Sequence, residues 1–214
     1  MIRIVENNDW VILSLVGVGL VYIIMFKTLQ RNISLSEFVV QNYSEAANIF
    51  LSWLIVSVAY CVTFAVLFSQ YIPIVPRFVT EYLALGGYTF NKMGFMLMVL
   101  FLYYGVRFLL TYLFFASIGD FKKMQDFGFA AQKFYFVLSL ILIILSFVHY
   151  YFSINKLSLF NYYLIAMVFL AIFKMLYYMF HRQQPLPKDW YYKILYICTF
   201  QILPMLALWK FLFI

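Results

Sequence analysis

The chain has 214 residues, of which 66% are hydrophobic, 23% aromatic and 11% charged, against roughly 25% charged in ordinary soluble domains. A folded domain of this size needs a polar skin, so this composition excludes a soluble globule and makes lipid the solvent. The formal net charge of +7 is divided among short connections instead of forming one stripe; this points to anionic lipid headgroups and away from nucleic acid.

A bilayer core takes about 20 apolar residues per helix, with a range of roughly 17 to 25. The first stretch of this kind is Trp10 to Phe26. Glu6 and Asp9 accompany Arg3 before it and no small-residue cleavage site follows, so the run reads as a retained helix and not a signal peptide. Ser34-Leu35-Ser36-Glu37 then has the form of a capping box. Leu35, Phe38, Val39, Tyr43 and Ala46 follow at helical spacing, which predicts an interfacial amphipathic helix over Ser34 to Ala47. With no Gly or Pro from 34 to 72, that helix is free to continue into the second span, Ile49 to Phe68. Pro73 and Pro76 end that span, and a second short amphipathic helix is expected from Arg77 to Leu85, ended by Gly86-Gly87. The remaining spans are Gly94 to Ile118, Phe134 to Phe152, Leu157 to Phe180 and Ile194 to Ile214. Barrel strands alternate apolar and polar residues, and these runs do not. The expected fold is therefore an all-α polytopic bundle of about six transmembrane helices in one integral membrane domain, with two short interfacial helices.

The connections set the orientation. Lys27, Arg31, Lys122, Lys123, Lys133, Arg182, Lys188 and Lys193 fall on one side, and Arg3, Arg77, Lys92, Lys156 and Lys210 on the other. This balance favours both termini outside the cytoplasm, in the periplasm of a bacterial inner membrane. Cys61 and Cys198 lie within spans and are expected as buried thiols, not as a disulfide.

The polar groups inside the spans are the candidate functional residues. An ionisable side chain at mid-depth marks a site by default, and Arg107 lies near the middle of the third span with Tyr104 and Thr111 on its face at i−3 and i+4. It is expected to bond carbonyls and tyrosine hydroxyls inside the bundle, to grip an anionic headgroup in a wet cavity, or to meet a carboxylate of another subunit. Lys174, Tyr177, Tyr178 and His181 form a second polar face on the fifth span. Lys174 is near enough to the end of its span for snorkelling to be the plainer expectation. In the last span, Gln201 can donate and accept inside the bundle, while Pro204 removes a backbone bond at Phe200 and should kink the helix. His149 and His181 lie at different depths and neither cysteine stands at ligand spacing to them, so no metal site or cofactor is implied. No nucleophile, acid and base fall within reach of one another, which makes an enzyme the less favoured class. The spans carry no Asp or Glu of the kind that proton-coupled carriers use.

The segment Cys198-Thr199-Phe200-Gln201-Ile202-Leu203-Pro204, taken with the six-span layout, resembles a family of Bacteroidota inner-membrane proteins filed as a domain of unknown function. The resemblance covers most of the chain and implies a location without a chemistry. The expected role is a non-catalytic subunit or assembly factor of a cell-envelope complex, partnered by other membrane subunits. The alternative is a lipid-handling protein, flippase or enzyme, that binds an anionic headgroup through Arg107 and Lys174.

Overall fold

The computed structural model describes residues 9–30, 33–41, 43, 46, 48–72, 91–152, 156–180, 186–187 and 189–213. These form helices α1 (Asp9–Thr28), α2 (Leu35–Val40), α3 (Ile49–Phe68), α4 (Lys92–Ile118), α5 (Phe121–Tyr151) and α6 (Lys156–Phe180). The last span comprises α7 (Trp190–Tyr196), a π-helical segment (Ile197–Ile202) and α8 (Leu203–Phe213). Six helices are long and apolar enough to cross a membrane, as the hydropathy of the sequence requires. The expected helix over Arg77–Leu85 lies outside the described residues.

Two boundaries differ from the sequence expectation. α5 starts at Phe121, well before the apolar run at Phe134, because Asp120 caps it: its carboxylate accepts from the Lys123 backbone N–H at 3.3 Å and pairs with the Lys123 ammonium at 2.7 Å. That ammonium also holds the Asp120 carboxyl below the usual carboxylate range. Gly119, at φ 79° in the left-handed region, turns α4 into α5 within two residues. Lys133 therefore belongs to a helix and not to a loop. It is buried, donates to the Gln41 carbonyl and lies 4.7 Å from the centre of the Phe129 ring.

The other difference concerns the interfacial segment. Ser34 caps α2 as a full capping box, with Ser34 N–H donating to Glu37 Oε2 at 2.9 Å and Glu37 N–H to Ser34 Oγ at 3.3 Å. The helix ends at Val40, however, and neither reaches Ala47 nor runs into α3. Gln41 takes an extended backbone and Asn48 precedes α3 at φ 48°, a left-handed conformation that asparagine tolerates. The break lets Phe38 turn fully inward against Phe26 and Phe136, while Leu35 and Val39 stay exposed.

α3 is the axis of the bundle, packing most extensively on α5 and also on α1 and α4. The α1–α5 contact contains a polar tie, Tyr22 Oη to Ser139 Oγ at 2.5 Å, beside the T-shaped ring pair Tyr22–Phe136. At the far end of α5, buried His149 meets Gln70 Oε1 at 2.8 Å and Tyr71 Oη at 3.3 Å, which fastens α5 to the turn that ends α3. Cys61 is buried in this core, whereas Cys198 faces outward, contrary to its expected burial.

Candidate functional site

Arg107 is carried by α4 and is 9% exposed. Its Nη1 donates to Tyr135 Oη of α5 at 3.3 Å, and its Nη2 donates to Gln201 Oε1 in the last span. Lys174, from α6, donates to the same Tyr135 Oη at 2.6 Å, with its Nζ 4.3 Å from the centre of that ring. It is 8% exposed. The expected snorkelling therefore does not occur: the inward rotamer gains a hydroxyl acceptor and three aromatic faces, those of Tyr135, Phe134 and Tyr178. Three spans thus meet at one phenolic oxygen, and the last span joins them through Arg107.

Gln201 reaches this point because of the break that Pro204 imposes. Proline offers no N–H to Phe200, and the chain answers by widening a turn: Leu203 N–H bonds back to Cys198 C=O, five residues earlier. A π segment, Ile197–Ile202, stands just ahead of Pro204. Gln201 is 5% exposed and its Nε2 has no partner.

The other expected residues divide. Tyr104 stacks edge-on to Tyr135 with ring centres 5.6 Å apart, next to Tyr60. Thr111 bonds Tyr196 Oη at 3.2 Å, one layer away. Tyr178 is buried with an unpartnered hydroxyl, and half-buried Tyr177 lies on its flank. His181 falls outside the described residues. The residue that sequence reading missed is Tyr135. Its signal was present, since it shares a stripe with Ala131, Leu138 and Leu142 at helical spacing and is the polar member of that buried face.

The cluster forms part of the wall of a cavity of about 990 Å³ between α3, α4, α5, α6 and the last span. That is the upper end of the roughly 300–1,000 Å³ range of ligand pockets. Apart from Arg107, Lys174, Gln201 and the tyrosines, its lining is aliphatic, aromatic and thioether. Among the described residues the one ion pair is Lys123–Asp120, so no carboxylate there neutralises Arg107 or Lys174.

Residues 11–212 match the family described as Domain of unknown function (DUF4271). The chain belongs to this family. No curated protein and no solved structure matches it. This DUF4271 chain is thus a multi-pass membrane protein by its helices, and its chemistry has to be argued from the cavity itself.

Proposed function

We propose that the protein handles lipid without catalysing a reaction, holding an anionic headgroup at Arg107 and Lys174 inside a bacterial inner membrane. The observation that carries this reading is the convergence of two buried basic side chains on one oxygen at the wall of an apolar cavity. Bonds of 3.3 and 2.6 Å to a single atom keep the two nitrogens no more than their sum, about 6 Å, apart. Two positive charges at that distance repel by about 3 kcal/mol at an effective dielectric of about 20, and Tyr135 offers only a neutral oxygen against it. An anion bound between them converts that repulsion into two charge-assisted bonds.

A second reading, a non-catalytic subunit or assembly factor of a cell-envelope complex, draws support from the outward faces of α6 and the last span. Large side chains outside the cavity lining, such as Tyr162, Phe173, Leu176 and Leu203, cover these faces, and another membrane subunit could pack there as readily as lipid. One preparation separates the two. The protein, gently solubilised and examined by native mass spectrometry, is expected to carry about one anionic lipid per chain; a stoichiometric protein partner without such a lipid would reverse the preference.

The lysine and arginine balance of the connections supports an arrangement with both termini periplasmic. Fusions at Ile214 and Gln184 test it: alkaline phosphatase should be active at Ile214 and inactive at Gln184, and the opposite pattern inverts the topology.

A further inference from the structure

We propose that the cavity takes its ligand in one orientation, with an anionic head on Arg107, Lys174 and Gln201 and a tail one leaflet long running toward the end of the bundle where α8 finishes. This rests on the lipid-handling reading and adds to it the ligand's class and direction.

The head is fixed by a surplus of donors. Arg107 has five N–H groups and Lys174 three, and Gln201 adds the two of its amide. The acceptors they meet are Tyr135 Oη and Gln201 Oε1, with the Tyr196 hydroxyl beside Arg107 and Gln201, and these remain fewer than the donors. Gln201 lines the cavity and is 5% exposed, and its Nε2 has no hydrogen-bond partner among the described residues. A carboxylate or a phosphate offers several acceptor lone pairs to all three side chains and a negative charge to the two cations; a neutral ester accepts without that charge, and a hydroxyl or amide head brings donors of its own.

The direction follows from where the lining residues lie along each helix. Met96 precedes Arg107 by 11 residues, Leu164 precedes Lys174 by 10, and Leu212 follows Gln201 by 11; all three line the cavity. Phe64 and Phe68, near the C-terminal end of α3, continue the wall on the same side. In the opposite direction the lining stops almost at once among the described residues: Met175 is the last contributor from α6 and Arg107 the last from α4. The polar cluster therefore closes one end of a slot that extends about 16 Å at 1.5 Å rise per residue, roughly half of a ~30 Å hydrocarbon core. A slot of that length accommodates the chain of one leaflet. Its polar end faces the side of the membrane where α2 and the Gly119 turn lie, so the bound amphiphile has the orientation of a lipid from that leaflet, drawn in to about mid-depth.

Trp209 lines the slot eight residues beyond Gln201 and serves as a built-in reporter. Hexadecanoic acid brominated either at its terminal carbons or at carbon 2 is titrated into the detergent-solubilised full chain. The Trp209 fluorescence is isolated as the difference between the native protein and Trp209→Phe. The terminally brominated acid is expected to quench that component several-fold more strongly, and the same acid as its neutral methyl ester to bind several-fold more weakly. Gln201→Leu should weaken binding of the acid while preserving the quenching order. Terminally brominated lysophosphatidic acid forms the second arm: tighter binding of it than of the acid assigns the site to phosphates, and the reverse to carboxylates. Equal or reversed quenching by the two acids would overturn the orientation while leaving lipid binding intact. Absence of saturable binding by both head chemistries, or equal binding of the ester, would overturn the lipid-handling reading together with it.

Discussion

The two halves of the bundle are built differently. In α3 and α5 50% of the membrane-spanning stretch is buried, whereas in α6 and the last span the figure is 11%. The α1–α3–α5 half is closed by interlocking rings and short polar ties, and its apolar side chains meet each other. In the other half α6 and the last span stand off from the core, and what they share with it is a cavity with a polar end. A membrane helix gains little from leaving lipid for an equally apolar neighbour, so association depends on packing and hydrogen bonds. The tight half supplies both. The loose half has few of either, which is the arrangement expected where a ligand completes the packing.

This comparison can be broken by mutation. The largest effect on stability is expected at Phe136, which is 1% exposed and touches Tyr22, Phe26 and Phe38 with ring centres 5.2 to 5.4 Å away. Phe136→Ala should cost on the order of 2 kcal/mol; this is less than the usual 3–5, because the ring of the dissociated helix returns to lipid and only the void remains to be charged against it. Leu176→Ala, exposed on α6 and outside the cavity lining, should cost little. Thermal unfolding of the two variants in the same detergent checks the contrast, and equal losses would mean that the halves are not distinct.

A smaller effect is expected at the polar ties. Tyr22→Phe removes the bond to Ser139 and should lower stability by about 0.6–1 kcal/mol. Ser34→Ala, which takes away the α2 cap, should cost about 1 kcal/mol locally, read as faster amide exchange over Leu35 to Val40. The same cap gives the smallest and most specific prediction. The Ser34 backbone N–H holds the Glu37 carboxyl below its usual range, so the cap is complete above the ordinary value of about 4.3 and is lost as pH falls through the lower folded value. Exchange at Phe38 should be unchanged between pH 7 and 5, after correction for intrinsic rate, and should accelerate only under more acid conditions.

Legibility did not follow this division, since α6 of the loose half begins within one residue of its apolar run while α5 of the tight half begins 13 residues before its own. Hydropathy alone places α1 and α3, since a buried apolar helix cannot hide its composition. It misplaces the start of α5, because Lys122, Lys123, Asp126, Gln132 and Lys133 break the apolar run while a cap and a glycine turn carry the helix through them. The stop between Gln41 and Asn48 left no glycine or proline to read, and an asparagine in the left-handed region is a weak signal. At the cavity, Arg107, Lys174 and Gln201 could each be singled out as costly polar residues within spans. That they converge could not be read, because Arg107 and Lys174 meet at the hydroxyl of Tyr135, an aromatic at the start of an apolar run that resembles an interfacial anchor, and Gln201 joins them only through Arg107. The π segment that delivers Gln201 follows from Pro204 only once the neighbouring helices fix which carbonyls are left unpaired.

The central claim is that Arg107 is there for an anion. The guanidinium offers a planar fork that an ammonium lacks, so Arg107→Lys should retain part of the binding and Arg107→Leu almost none. The decisive measurement is native mass spectrometry of the wild-type, Arg107→Lys and Arg107→Leu proteins released from the same membranes, with helicity by circular dichroism as the control for folding. The account predicts one anionic lipid on most wild-type molecules, fewer on Arg107→Lys and nearly none on a still-helical Arg107→Leu. An Arg107→Leu protein that keeps the wild-type lipid complement would contradict it.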